Sequence, residues 1–285
     1  MAVVATGFFD GVHLGHRLVL DALVSEARAR HTESVVATFW PHPRTVLQND
    51  ARTLRLLTSL DEKVALLKAR GADRVEVLDF SREFSRLDTR SYLSEVVRDR
   101  FGGTAVVLGY DNRMGHDLLS PQQTSLIARE IGLDSVGVPF VDACGVTISS
   151  TKIRECLSCG KVEDAAAMLG RPYALRGVVV GGKQLGRTLG FPTANMQLYD
   201  PLKLVPAKGA YLTEVDAPGG TFHGMTNVGD IIETHILDFD EQIYGLDISI
   251  RFLRRLRDEI RFDGLEALKA QLARDKEECR KLLSR

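Results

Sequence analysis

Through its first half the chain alternates short apolar runs with amphipathic stretches. Val3–Thr6, Val35–Phe39, Val75–Leu78, Ala105–Leu108 and Ser135–Val138 are Val-rich runs of the kind buried on both faces of a parallel sheet. Between the first two, Val19, Leu20, Leu23, Val24 and Ala27 form one stripe at helical spacing,. Ser59-Leu60-Asp61-Glu62 has the hydroxyl and carboxylate of a capping box, opening a helix through Leu66 and Leu67,. Strand and helix in alternation with short connections predict a doubly wound α/β domain with a parallel sheet. Ligands of such sheets sit beyond the carboxyl ends of the strands, so the loops after Thr6, Phe39 and Leu108 are where chemistry is expected.

Near Gly170-Arg171-Pro172 the pattern changes, with frequent turns and alternating strands beyond. Leu246, Ile248, Ile250 and Phe252 occupy every second position, the period of a half-buried antiparallel strand,. Leu175–Val180, Tyr211–Val215, Phe222–Thr226 and Ile231–Leu237 read the same way. A last helix is expected to open at Asp263, with Leu265, Leu268 and Leu272 on its apolar face. Arg274-Asp275-Lys276-Glu277-Glu278 reads as a solvated face of that helix,. A small antiparallel β-barrel or sandwich closed by one helix follows, giving domains at 1–170 and 171–285. The 285 residues fit that count at about 150 residues per domain,.

Charge narrows the function. Lys and Arg number 37 against 38 Asp and Glu, a formal −1, where a nucleic-acid module would carry a basic excess. No apolar run approaches the ~18 residues of a membrane span, and the start at Met1 lacks the charged lead of a signal peptide,. A cytoplasmic protein without nucleic-acid or membrane partners is expected. The four cysteines show no disulfide framework, and Cys156-Leu157-Ser158-Cys159 reads as two thiols on a helix rather than a metal or redox site,.

The chemistry gathers in two segments. Gly7-Phe8-Phe9-Asp10-Gly11-Val12-His13-Leu14-Gly15-His16 joins the first strand to the first helix. It sets two imidazoles three residues apart beside helix N–H groups that favour anions, and Gly15 lacks the Cβ that would hold a ligand off the backbone. Ser149-Ser150-Thr151-Lys152-Ile153-Arg154 opens a later helix. Its hydroxyls lie in N-cap territory, and its cations fall in a first turn, where the macrodipole disfavours them unless an anion also binds. In the second half, Gly177-Val178-Val179-Val180-Gly181-Gly182-Lys183-Gln184 nearly spells a phosphate-binding P-loop, but Gln184 stands where a Mg²⁺-binding hydroxyl should be,. The longer string through Gly186, Arg187, Gly190, Phe191, Pro192, Thr193, Ala194 and Asn195 is more informative, as is Glu233-Thr234-His235, with its carboxylate in an apolar strand.

These motifs, in this order, resemble the bacterial bifunctional riboflavin kinase/FMN adenylyltransferase family, also called FAD synthetases. The first half resembles its adenylyl-transferring module through Phe9–His16 and Pro41-His42-Pro43, and the second its kinase module through Pro192-Thr193-Ala194-Asn195. The resemblance implies ATP as co-substrate, Mg²⁺ as cofactor, and riboflavin, FMN and FAD as small-molecule partners. It implies that His13 and His16 contact ATP phosphates and that Arg154 neutralises pyrophosphate. Gly7, Phe8, Asp10, Gly15, Asp111, Ser149, Ser150 and Thr151 would line that site. It further implies that Thr193 and Asn195 hold Mg²⁺ and phosphates and that Glu233 is the base. Gly182, Lys183, Gly186, Arg187, Gly190 and Pro192 would bind ATP or flavin, the glycine-rich stretch forming a mobile flap. Asn112 and Met114 replace aromatics usual in the family, and Asp230 follows Gly229 where the family carries a Thr-Arg-Pro-Thr-like stretch. A chain with one working activity, or a non-catalytic flavin- or nucleotide-binding regulator, are the rival readings. Homo-oligomer formation stays open.

Overall fold

The computed structural model describes residues 1–47, 54–139, 142–143, 146–182 and 185–284, with the backbone alone at 142, 143, 146, 147, 185 and 187. Internal contacts divide the chain into two compact units, Met1–Ser150 and Thr151–Arg285.

The first unit runs β1 (Ala2–Thr6), α1 (Leu14–Ala29), β2 (Glu33–Trp40), α2 (Pro43–Leu47), α3 (Leu60–Ala69) and β3 (Arg74–Asp79). Then come α4 (Thr89–Ser91), which continues as a wide π-type helix over Tyr92–Arg100, β4 (Gly103–Gly109), α5 (Pro121–Glu130) and β5 (Asp134–Val138). A two-residue hairpin, β6 (Asp142–Ala143) and β7 (Val146–Thr147), ends it. All five long strands pair in parallel in the order β3-β2-β1-β4-β5, so the expected doubly wound sheet is present. Alternation along β1 explains its total burial. Ala2 and Val4 join Leu93, Val97 and Phe101 on one face; Val3 and Ala5 join Leu20, Leu23 and Leu67 on the other,. The Ser59 capping box is formed in full. The strand order reverses between β1 and β4, and the crevice beyond their carboxyl ends lies between the loops after Thr6 and Gly109.

The second unit contains most of α6 (Ser150–Ser158), then α7 (Val162–Leu169), β8 (Tyr173–Val180), α8 (Leu185–Thr188), β9 (Ala194–Leu198), β10 (Gly209–Ala217), β11 (Gly220–Val228), β12 (Ile232–Ile236), β13 (Asp247–Asp258) and α9 (Leu265–Leu283). Six antiparallel strands close a barrel in the order β10-β11-β12-β9-β8-β13. Tyr211 meets Phe252 edge to face at 5.2 Å between ring centroids. A buried row of hydroxyls, Thr213, Thr226 and Thr234, spans three neighbouring strands at 2.8 and 2.9 Å. Several points differ from the sequence expectation. The outer strands β3 and β5, expected to be buried on both faces, are mostly half-buried to exposed because each has a neighbour on one side only. Leu246, expected within a strand, precedes β13 and is 42% exposed. The strand β9 is additional, concealed by the Gly- and Pro-rich residues before it. Helix α9 opens at Leu265 behind Gly264, and Asp263 makes no cap. Leu265 is 52% exposed, while Leu268 and Leu272 pack on the cluster of Phe191, Leu212, Met225 and Cys279. Asp275, expected in solvent, is buried and takes three hydrogen bonds from Arg257 and one from Gln271, which ties α9 to β13.

Candidate active sites

The loop from Gly7 to His13 is held in a strained shape. Phe9, Gly11 and Val12 all have positive φ (54°, 81° and 41°), a conformation that a β-branched valine enters only under constraint. The constraint is visible. Thr38 Oγ1 donates to the Phe8 carbonyl (3.1 Å), and the Phe9 and Val12 side chains are buried. The Asp10 carboxylate accepts from Leu57 N–H, Thr58 N–H and the Thr58 hydroxyl at 3.0–3.1 Å, and the same hydroxyl accepts from Gly11 N–H (3.1 Å). Asp10 therefore braces this loop from beneath. Thr58 went unnoticed in the sequence because no local pattern links positions so far apart.

His13 is the N-cap of α1, and its Nδ1 accepts from the His16 N–H at 3.3 Å. The two imidazoles stack with centroids 3.6 Å apart. A Cβ on Gly15 would come within 3.3 Å of the His13 ring, so the glycine gives that ring its place. His16 Nδ1 is buried and has no hydrogen-bond partner among the described residues. Burial first, then the charges of His13 and Lys63, push its pKa well below the usual imidazole value. His16 thus acts as a neutral group at pH 7, and cancelling phosphate charge falls to lysine and arginine. Lys63 is such a cation. It is 1% exposed, with Nζ 3.8 Å from the centre of the Phe8 ring and 3.3 Å from the Phe39 carbonyl that accepts from it. Burial brings its pKa down to about 8, against the pull of Asp10. The sequence held a signal for it, since Leu60, Lys63 and Leu67 share one helix stripe.

The remaining candidates of this site lie on or just before α6 and on the loop after β4. Ser150 begins α6 and donates to the Asp10 carbonyl at 3.0 Å; Ser149 precedes it, and Thr151 is exposed. Arg154 lies one turn further along α6, in the second unit. Asp111 is exposed on the loop after β4, which Asn112 anchors by donating to the Thr6 carbonyl (3.1 Å). Met114 is buried in the core, so it offers no surface for a ring. Asp117 accepts from Thr89 N–H and hydroxyl, fixing the start of α4.

In the second unit, β12 pairs with β9 so that Glu233 stands opposite Asn195. With its amide turned to satisfy both neighbours, Asn195 donates to Glu233 Oε1 (3.0 Å) and accepts from Gly182 N–H (3.3 Å). This links the carboxylate, the amide and the glycine-rich segment. A Cβ on Gly182 would lie 1.5 Å from the Asn195 amide, and one on Gly186 would lie 2.3 Å from the Phe191 carbonyl and 3.2 Å from Thr193 Oγ1. A side chain at 186 would meet backbone, whereas one at 182 would have to push the Asn195 amide aside. Thr193 and the exposed Pro192 line a cavity of 240 Å³ together with Val179, Glu241 and Tyr244. Gly190 takes a positive φ of 85° in the turn before Pro192. Lys183 lies outside the described residues, as does the Arg187 side chain. Between β11 and β12 the chain makes a tight turn, Gly229 N–H donating to the Ile231 carbonyl (3.1 Å), so the loop after Gly229 is short. Cys156 and Cys159 are free thiols, and burial raises the pKa of Cys156, which favours the unreactive form,.

A family model described as FAD synthetase matches residues 1–152, and one described as riboflavin kinase matches residues 169–283. The bifunctional riboflavin kinase/FMN adenylyltransferase of Listeria monocytogenes is 35% identical, covering 98% of this chain and 91% of its own length. The Escherichia coli K12 protein of the same name is 36% identical, over 96% and 90%. The chain belongs to the bifunctional riboflavin kinase/FMN adenylyltransferase family. A solved Streptococcus pneumoniae chain described as a macrolide-efflux protein shares the fold, with a TM-score of 0.91 at 31% identity over 98% of this chain and 93% of that one. Among the described residues no helix is long and apolar enough to cross a membrane. The two family models leave residues 153–168 between them, which is most of α6 and α7.

Proposed function

We propose that the C-terminal half transfers the γ-phosphoryl group of ATP to the 5′-hydroxyl of riboflavin, giving FMN and ADP. The N-terminal half then joins FMN to the α-phosphorus of a second ATP, giving FAD and pyrophosphate. The observation that carries this reading is the Glu233–Asn195–Gly182 linkage. A neutral alcohol must lose its proton as it attacks, and Glu233 is a carboxylate positioned to take it. The FMN phosphate needs no such base, because it is already an anionic nucleophile. What the adenylyl step needs is positioning and charge cancellation. The stacked His13 and His16 supply ring N–H donors, the start of α1 and of α6 (Ser149, Ser150, Thr151) supplies backbone N–H groups, and Arg154 supplies charge for the departing pyrophosphate. Asp111, on the loop opposite, is assigned to the adenosine or flavin end. We divide the labour at about residue 170, and we place both reactions in the cytoplasm, with ATP as co-substrate.

Mg²⁺ fits the kinase site by donor chemistry. The Thr193 hydroxyl and Asn195 amide oxygen are hard neutral donors in a cradle that a Cβ at Gly182 or Gly186 would fill, and Mg²⁺ keeps waters and phosphate oxygens besides. When bound, the ion supplies neutralisation of the charge on the transferring phosphates. The test is chromatography of the products formed by the purified chain from riboflavin, ATP and Mg²⁺. FMN and FAD are both expected; a folded chain that forms neither would falsify the reading.

A further inference from the structure

The backbone ladder between β12 and β9 runs Ile232–Met196, Glu233–Asn195 and Thr234–Ala194, and stops there. Beyond it the segment that leads into β9 cannot extend the ladder through Pro192, which has no N–H to donate. A side chain takes over. His235 Nδ1 lies 2.8 Å from the Pro192 carbonyl oxygen, and since a carbonyl only accepts, Nδ1 carries the hydrogen. The ring is 5% exposed and meets Phe191 edge to face, centroids 5.4 Å apart. Its position on β12 follows from alternation. Thr234 faces the buried hydroxyl row, so Glu233 and His235 share the opposite face,.

We infer that His235, donating from Nδ1 to Pro192, is a positioning residue for the kinase reaction: it holds Pro192, and with it Thr193 and Asn195, in register with Glu233. The inference rests on the kinase reading of this site. Its chemistry is one-directional. His235 Nε2 is buried without a hydrogen-bond partner among the described residues, so a second proton there would create a buried charge with nothing to receive it. Burial accordingly lowers the His235 pKa. The Pro192 carbonyl opposes that shift, Lys276 of α9 adds to it, and Asp238 just beyond β12 opposes it. Glu233, two residues away along β12, shares that face by the same alternation,. The clamp therefore stays engaged at pH 7 and through mild acid.

The test uses the full chain, with the adenylyl reaction as internal control. His235→Ala should lower kcat for riboflavin phosphorylation about 10²-fold, the scale of an ångström-sized misplacement, with a smaller change in KM. FAD formation from supplied FMN should be unchanged. His235→Asn, whose amide N–H reaches the same place as Nδ1–H, should restore kcat to within about tenfold of the parent. Wild-type kcat in the alanine variant, or equal loss in both variants, overturns the inference. Should the alanine variant fail to fold, nitrogen NMR of histidine-labelled parent chain still decides. An Nδ1–H tautomer at pH 6 supports the clamp; the Nε2–H tautomer, whose bare Nδ1 has no hydrogen to give the Pro192 carbonyl, overturns it. A parent chain that makes no FMN removes the kinase reading itself, and the tautomer is then read on its own.

Discussion

In the first unit the motif side chains ride on a strained loop between a fully buried parallel strand and a helix N-terminus. In the second they stand on two paired antiparallel strands at the outer face of a barrel. The loop needs outside bracing, which comes from Asp10, Thr58 and Thr38. The strands need less from outside, because the ladder pairs Glu233 with Asn195 and His235 of the same strand holds Pro192 where the ladder stops. The materials also differ. Around Phe8 and Phe9 the groups are imidazoles and a buried lysine; around Thr193 they are a hydroxyl, an amide and a carboxylate. The difference matches the two nucleophiles, an anion that must be brought to more negative charge and an alcohol that must give up a proton.

The comparison can be broken most forcefully at the proposed base. Glu233→Gln should reduce FMN formation by 10²-fold or more, the usual range for a general base being about 10²–10⁴. FAD formation from supplied FMN should continue. Next, Gly182→Ala should drive the Asn195 amide off Glu233, since the new Cβ would lie 1.5 Å from it. The expectation is a loss of about 10²-fold in kinase kcat, with the melting temperature of the barrel little changed. Equal kcat in this variant would separate Asn195 from the chemistry.

Smaller effects probe the first unit's buried cation. With a pKa of about 8 against an ordinary 10.5, Lys63 is neutral in the folded chain and charged in the unfolded chain between those values. The unfolded state binds more protons there, so stability should rise with pH from 8 to 10.5, by up to roughly 3 kcal/mol. Lys63→Met should abolish that rise, read from denaturant unfolding followed at Trp40, the chain's single tryptophan. A parallel argument holds for His16 in acid. Its folded pKa is lowered, so stability is lost as pH falls below about 6.5, by at most about 1.4 kcal/mol per pH unit. His16→Gln should flatten that slope at Trp40.

Much of this was legible in the chain. Apolar runs placed the five parallel strands, α1 and the capped α3. Of the strands, β1, β2 and β4 are largely buried, whereas the outer strands β3 and β5 carry the same Val-rich pattern at mostly half-buried to exposed positions. Lys63 was readable in principle as a lysine on an apolar stripe. Asp275 was misread for the opposite reason. Its neighbours are charged, and Arg257, brought up from β13, together with Gln271 makes its burial tolerable. The strand β9 was concealed because Gly190 and Pro192 signal a turn. The Asp10–Thr58 brace was illegible because it joins residues with no shared periodicity. The motifs themselves were fully readable, since each is continuous in sequence; which of their side chains reach one another was not.

The central claim, two separate phosphate chemistries in one chain, is tested most directly by a crossed assay with Glu233→Gln and His16→Ala. Each folded variant is supplied with riboflavin, ATP and Mg²⁺, alone and mixed, and FMN and FAD are separated by chromatography. Glu233→Gln alone should form neither product from riboflavin yet convert supplied FMN to FAD. His16→Ala alone should stop at FMN, and the mixture should make FAD. A folded variant of either kind that loses both reactions would contradict the claim.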